Sequence, residues 1–173
     1  NYSLKSVVEK SIFETNELLL KEKETTLIEY AAFYGSKQIF KYLYKNQVEI
    51  TPNLYIYAIH GLDEEIIHFL EENESLKQEE KNIKYIKRLK ESIKCHHNYI
   101  SEYIISNFLN EDECIKYSNM YGFHYYNFAP IDEFKITTYE IFNYACKYDY
   151  YAIIEHFIKT KLIDKDKINI SII

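Results

Sequence analysis

Apolar residues recur along most of the chain at spacings of three and four, the period of an amphipathic helix rather than the alternation of a strand. The clearest stretch is Leu27 to Leu43, LIEYAAFYGSKQIFKYL. A short apolar segment there ends in Ala31 and Ala32, Gly35 follows, and a second run carries Ile39, Phe40 and Leu43 on one side. The small residues predict close packing of two short helices, and Gly35, lacking a Cβ, predicts the tight turn between them. The pattern returns 27 residues later as LYIYAIHGLDEEIIHFL, with Ala58, Ile66 and Leu70 in the places of Ala31, Ile39 and Leu43. It returns again as ESIKCHHNYISEYIISNFL, where Ser92 stands for the alanine and Ile100 and Ile104 for Ile66 and Leu70. A last copy, IFNYACKYDYYAIIEHFI, puts Ala145 and Ile153 at the places of Ala58 and Ile66. Repetition at such a period predicts stacked helix pairs, an all-α architecture in which no pair seals its apolar face alone.

The remaining segments are placed around these copies. Leu4, Val7, Val8 and Ile12 predict one N-terminal helix and Leu18 to Leu20 a second, capped by Asn16 or Thr15, so that residues 1–24 form N-terminal capping helices. Five repeats follow, at 25–50, 51–73, 74–110, 111–132 and 133–173. Ser36, Thr51 before Pro52, and Asp63 are expected helix caps. Ile83, Ile86, Leu89 and Ile93 form the apolar stripe of a charged helix. The fourth repeat is degenerate: two short helices up to Phe128 and a loop over Ala129-Pro130-Ile131-Asp132. The tail KTKLIDKDKINISII stops where another repeat should begin, so the natural chain is expected to continue.

Composition narrows the classes. Among 173 residues there are 19 Tyr and 10 Phe against 3 Gly, 2 Pro and no Trp. So few turn residues argue against an all-β fold, and so few glycines against a Rossmann or P-loop protein. A net charge of −6 gives no general attraction to nucleic acid or anionic lipid. No signal peptide is visible and no apolar run approaches the roughly 20 residues that span a bilayer. Cys95, Cys114 and Cys146, odd in number and far apart, are expected to be free, buried or idle thiols in a reducing compartment. The expectation is an intracellular, cytoplasmic protein, monomeric, for which the sequons Asn73-Glu74-Ser75 and Asn169-Ile170-Ser171 are chance matches.

Candidate chemistry is sparse. Cys95-His96-His97 is the one cluster of metal-ligand types, but adjacent helical residues diverge by about 100°, so the three cannot close around one zinc and Cys114, His60 or His124 would have to complete a site. A turn, with His97 and Asn98 as turn and cap, fits the repeat better. The basic stretch from Lys77 to Lys94 is interrupted by Glu79, Glu80 and Glu91 and is expected to be a solvated helix face. No HExxH, P-loop, CxxC or nucleophile elbow occurs. No catalytic, cofactor-binding or metal-binding residue is assigned, and no enzyme is expected.

The segments LIEYAAFYGSKQIFKYL, YAIHGLDEEIIHFLEEN, ESIKCHHNYISEYI and YACKYDYYAIIEHF together resemble ankyrin repeats, in particular a divergent ankyrin-like family of protists. The resemblance covers most of residues 25 to 160. It departs from ordinary ankyrins in lacking the TPLH signature and in replacing Gly35 by Leu62, His96 and Asp149 in later copies. It implies a solenoid of about five stacked helix pairs with weak or absent β-hairpin fingers, acting as a protein–protein interaction scaffold through its concave face. First-helix positions left over from packing include Cys95, and among them the expected contacts are Glu29, Phe33, Tyr34, Ile56, His60, Lys94, Asn143, Lys147 and Tyr148. The alternative is a structural spacer in a longer repeat protein, with no binding site of its own.

Overall fold

The computed structural model describes residues 3–21, 24–51, 53–73, 78–131 and 136–162, with backbone alone at 21 and 78–82. Helices dominate the described residues, and none of them is long and apolar enough to cross a membrane. The chain divides into two compact units, Asn1–Lys84 and Tyr85–Ile173.

Among its described residues the first unit holds a two-residue ladder, β1 (Val7–Val8) antiparallel to β2 (Thr25–Thr26), and five complete helices. These are α1 (Glu17–Lys21), α2 (Leu27–Phe33), α3 (Lys37–Lys45), α4 (Leu54–Gly61) and α5 (Glu64–Glu72). Two hairpins result, α2/α3 and α4/α5, with α2 packed on α4 and α3 on α5. Ile28, Ala32, Phe40, Leu54 and Ile59 are fully buried. The C-terminal ends of α2 and α4 come so close that a Cβ on Gly61 would fall on the Ala32 carbonyl oxygen, and one on Gly35 would lie 2.7 Å from the Gly61 oxygen. Thr26 and Glu29 close a capping box at the start of α2, each satisfying a backbone N–H of the other. Asp63 caps α5 by accepting from the Ile66 N–H at 3.1 Å.

The second unit contains most of α6 (Gln78–Lys94), then α7 (Asn98–Phe108), α8 (Glu111–His124), a 3-10 turn (Ala129–Ile131), α9 (Thr138–Lys147) and α10 (Tyr151–Thr160). Helices α6 and α7 meet where the Ser92 and Ser101 hydroxyls, both buried, lie 2.9 Å apart, and where the Tyr85 and Phe108 rings stack at 3.9 Å. The buried Asn127 amide donates to the Ile93 carbonyl at 3.0 Å and to Asn98 Oδ1 at 2.8 Å, tying the end of α8 to the α6–α7 turn. Phe142 and Phe157, with Ile141, Ile153 and Ile154, hold α9 to α10. Asn110–Glu113 and Thr137–Glu140 are capping boxes for α8 and α9.

The copies share one backbone device. Gly35, Leu62, His96, Tyr126 and Asp149 all have φ between +52° and +59°, the left-handed conformation that ends a helix. The residue after the turn donates five residues back to a small residue: Ser36 to Ala31 (2.8 Å), His97 to Ser92 (2.9 Å), Asn127 to Gly122 (3.0 Å) and Tyr150 to Ala145 (2.9 Å). Those bonds, the longer pair of a Schellman motif, bring the degenerate fourth repeat into the same register, with Gly122 in the alanine's place.

Several expectations are corrected. Residues 3–12 are not helical: Val7 and Val8 pair with the strand before α2, leaving α1 as the one N-terminal helix in the described part of 1–24. Asn16 does cap it, accepting from the Leu18 N–H at 2.9 Å. The fourth repeat is one 14-residue helix and a 3-10 turn where a loop was expected, because its second run is too short and interrupted by Pro130. Ser36 makes no side-chain cap bond, and Asn53, not Thr51, precedes α4. Ile39 and Ile83 point outward from their helices. The expectations for Pro52, Lys77, Asp132, both sequons beyond Asn73 and the tail from residue 163 lie outside the described residues.

Candidate functional site

The first helices of successive hairpins end alike, so their side chains can be compared by position from the small residue. Two places on, in chain order, stand Phe33, His60, Lys94, His124 and Lys147; three places on stand Tyr34, Gly61, Cys95, Tyr125 and Tyr148. Side chains there project beside the turn, one helical step apart, and the turn geometry sets their direction.

In the first unit this gathers Phe33, Tyr34 and His60 with Tyr30. The Phe33 ring stacks on His60 at 5.0 Å and meets Tyr34 edge-on at 4.9 Å, and Tyr34 leans on Tyr30 at 4.8 Å. Phe33 and His60 are half-buried and Tyr34 is exposed. The hydrogen bond shared with Tyr30 pushes the Tyr34 phenol up, with burial and the charge of Glu14 adding to it.

In the second unit the same places bring together His124, Tyr125, Lys147 and Tyr148. The His124 ring lies 4.4 Å from that of Tyr125 and 5.1 Å from that of Tyr148, and the Lys147 ammonium sits 5.3 Å over the Tyr148 ring. Near-parallel rings run along each helix, Tyr117 with Tyr121 at 5.9 Å and Tyr144 with Tyr148 at 6.3 Å. Burial pushes the Tyr121 and Tyr144 phenols up, and neighbouring tyrosines, together with Glu140 beside Tyr144, add to it. Such phenols stay protonated at neutral pH. They offer ring faces and neutral hydroxyls.

The other expected residues are placed differently. Glu29 is buried: one carboxylate oxygen takes the Thr26 N–H and hydroxyl, and the other takes the Thr51 hydroxyl at 2.5 Å. It fixes the start of α2 and is withdrawn as a contact residue. Ile56 and Lys94 are half-buried, and Lys94 pairs with Glu91 at 3.5 Å. Asn143 is exposed on α9, one turn before Lys147. Cys95, His96 and His97 are divided between a helix end, the left-handed turn and the next helix start, as the repeat register requires. The Cys95 thiol is pushed up to about 12, by burial first and then by Glu91, far from a ready thiolate ligand. Cys114 is buried, whereas Cys146 is exposed.

Sequence reasoning missed Tyr30, Tyr117, Tyr121, His124, Tyr125 and Tyr144. Gly122 is the signal that would have found His124 and Tyr125, since it places them where Phe33 and Tyr34 stand in the first copy. Comparison with protein-family models, curated proteins and solved structures finds no match to the chain.

Proposed function

We propose that the chain is a non-catalytic, ankyrin-like scaffold inside the cell, binding a protein partner through the aromatic face of its first helices. The observation that carries this reading is the recurrence of partly exposed rings at one repeat position: Phe33 and His60, stacked on one another, in the first unit and His124 in the second, with Tyr34 against Phe33 and Tyr125 and Tyr148 against His124. Rings already held by one another lose little freedom on binding, and aromatic residues are over-represented among contacts that dominate affinity. The solenoid and its concave side belong to this proposal. They are supported by the shared turn and bond pattern of successive hairpins.

The test is affinity capture from the source cell with three baits: the wild-type chain, Tyr34→Glu/His60→Glu, and His124→Glu/Tyr148→Glu. A partner recovered by the wild type and reduced at least about tenfold with either variant is the expected result. Undiminished capture by variants that keep the wild-type circular dichroism overturns the assignment of this face. A wild-type bait that recovers no specific partner favours the spacer role instead.

A further inference from the structure

We propose that copies of this chain associate head to tail, the outward flank of α3 in one molecule packing on the outward flank of α10 in the next. This goes beyond the partner-binding face, since it uses second helices and not first ones. It also differs from the monomer expected on sequence grounds.

The template is a junction inside the first unit. There α5 covers α3: the Phe69 ring sits 5.8 Å from Phe40 and 4.5 Å from Tyr44, both edge-on, and Tyr44 donates to Asn73 Oδ1 at 3.3 Å. The covered flank of α3 ends at Val48, and Phe40 and Val48 are 0% and 7% exposed.

Helix α10 repeats α3 in register. Both end on a left-handed residue, Gln47 (φ +59°) and Lys161 (φ +54°). Both close with the same bond, Val48 N–H to the Leu43 carbonyl at 3.2 Å and Leu162 N–H to the Phe157 carbonyl at 3.3 Å. Ile154, Ile158 and Leu162 therefore stand where Phe40, Tyr44 and Val48 stand. The flank that α5 covers on α3 is open on α10: Ile158 is 45% and Leu162 56% exposed.

The complementary flank is on α3 itself. A shift of 27 residues takes Ile66, Phe69 and Asn73 of the covering helix onto Ile39, Tyr42 and Asn46. Ile39 and Tyr42 are 56% and 58% exposed. Asn46 makes the same local bond as Asn73, its amide donating to the carbonyl four residues back at 2.8 Å, against 2.7 Å for Asn73. So α3 carries on its outward side the apolar and amide groups with which α5 covers a helix of the α10 type. The occupant that fits α10 is a second copy presenting Tyr42 between Ile154 and Ile158, as Phe69 lies against Phe40 and Tyr44. Such a contact uses two different surfaces, so a pair joined by one junction leaves one α3 flank and one α10 flank for further molecules.

Sedimentation velocity of the full chain over a range of concentrations tests it. The expected result is a weight-average sedimentation coefficient that climbs with concentration without settling at a dimer. Tyr42→Glu and Ile158→Glu change exposed positions, and circular dichroism checks that each is folded. Each alone is expected to raise the apparent dissociation constant roughly 30-fold, the loss of one anchor residue. Mixed in equal amounts they restore one junction only, between intact α3 of Ile158→Glu and intact α10 of Tyr42→Glu, and stop at a 1:1 dimer. A Tyr42→Glu chain that associates like the wild type, as in symmetric α10–α10 pairing, overturns the proposal. So does a mixture that forms no dimer, or a wild type that stays monomeric throughout, whether its own residues 163–173 or solvent meet α10. A wild type that self-associates but recovers no specific partner would sink the scaffold reading and leave this one standing.

Discussion

Leu62 holds a φ of +52° at the place where Gly35 holds +59°, and the two residues show what the turn demands and what it tolerates. A Cβ in this conformation costs roughly 1–2 kcal/mol, less for Asn and Asp, whose short side chains bond locally. Leu62 is largely exposed, so little packing offsets that cost. Leu62→Gly is therefore expected to raise unfolding free energy by about 0.5–1 kcal/mol, after allowing for the extra freedom glycine has in the unfolded chain. Asp149→Gly should gain less. Gly35→Ala acts in the other direction, because the new methyl meets both the left-handed backbone and the Gly61 oxygen at 2.7 Å. A loss of about 1–3 kcal/mol is expected there. Urea midpoints at constant slope measure all three. A Leu62→Gly chain no more stable than Asp149→Gly would show that the turn residue is held by contacts and not by its backbone angle.

Between elements, the first unit's two hairpins are stapled by charge as well as by rings. Lys37 and Lys41 of α3 reach one carboxylate of α5, Glu65, at 2.6 and 2.7 Å. Hydrogen bonds from Lys37 and then Lys41 hold the Glu65 carboxyl down at about 2, below its ordinary 4.5, and Glu65 raises Lys37 in return. The folded state binds this proton less readily than the unfolded chain does. The staple therefore adds stability above pH 4.5, and that contribution is lost as pH falls toward about 2. The groups are exposed, so the effect is modest and screened by salt. Wild type should exceed Glu65→Gln in urea midpoint at pH 6 and low salt, and the difference should vanish at pH 2 or in 1 M salt. A gap that persists at pH 2 would assign the difference to hydrogen bonding of the carboxyl group against the amide and not to charge.

Across the whole molecule, the first and last hairpins and the long helix before Lys94 were legible in the sequence, because apolar spacing and a small residue near the helix end are local signals. The left-handed turns of Leu62, His96 and Tyr126 were harder to see, since glycine announces such a turn and these side chains do not. The ladder of Val7–Val8 with Thr25–Thr26 joins residues distant in sequence, and a two-residue strand leaves no periodicity. Burial of Glu29 was hidden for a similar reason: its partner Thr51 lies 22 residues away, in the linker before α4. What spacing also conceals is how unevenly the hairpins are sealed. Ile28, Ala32, Leu54 and Ile59 in α2 and α4 are 0% exposed, whereas α10 buries Phe157 alone. Opening of a segment requires little free energy where few apolar contacts are broken. Hydrogen exchange in dilute solution, where copies are apart, should thus be slowest in α2 and α4 and fastest, among the paired helices, in α10. Equal protection of α10 and α2 under those conditions would mean that contacts beyond the α9–α10 core hold the last helix, and the description of its flank as open would fall.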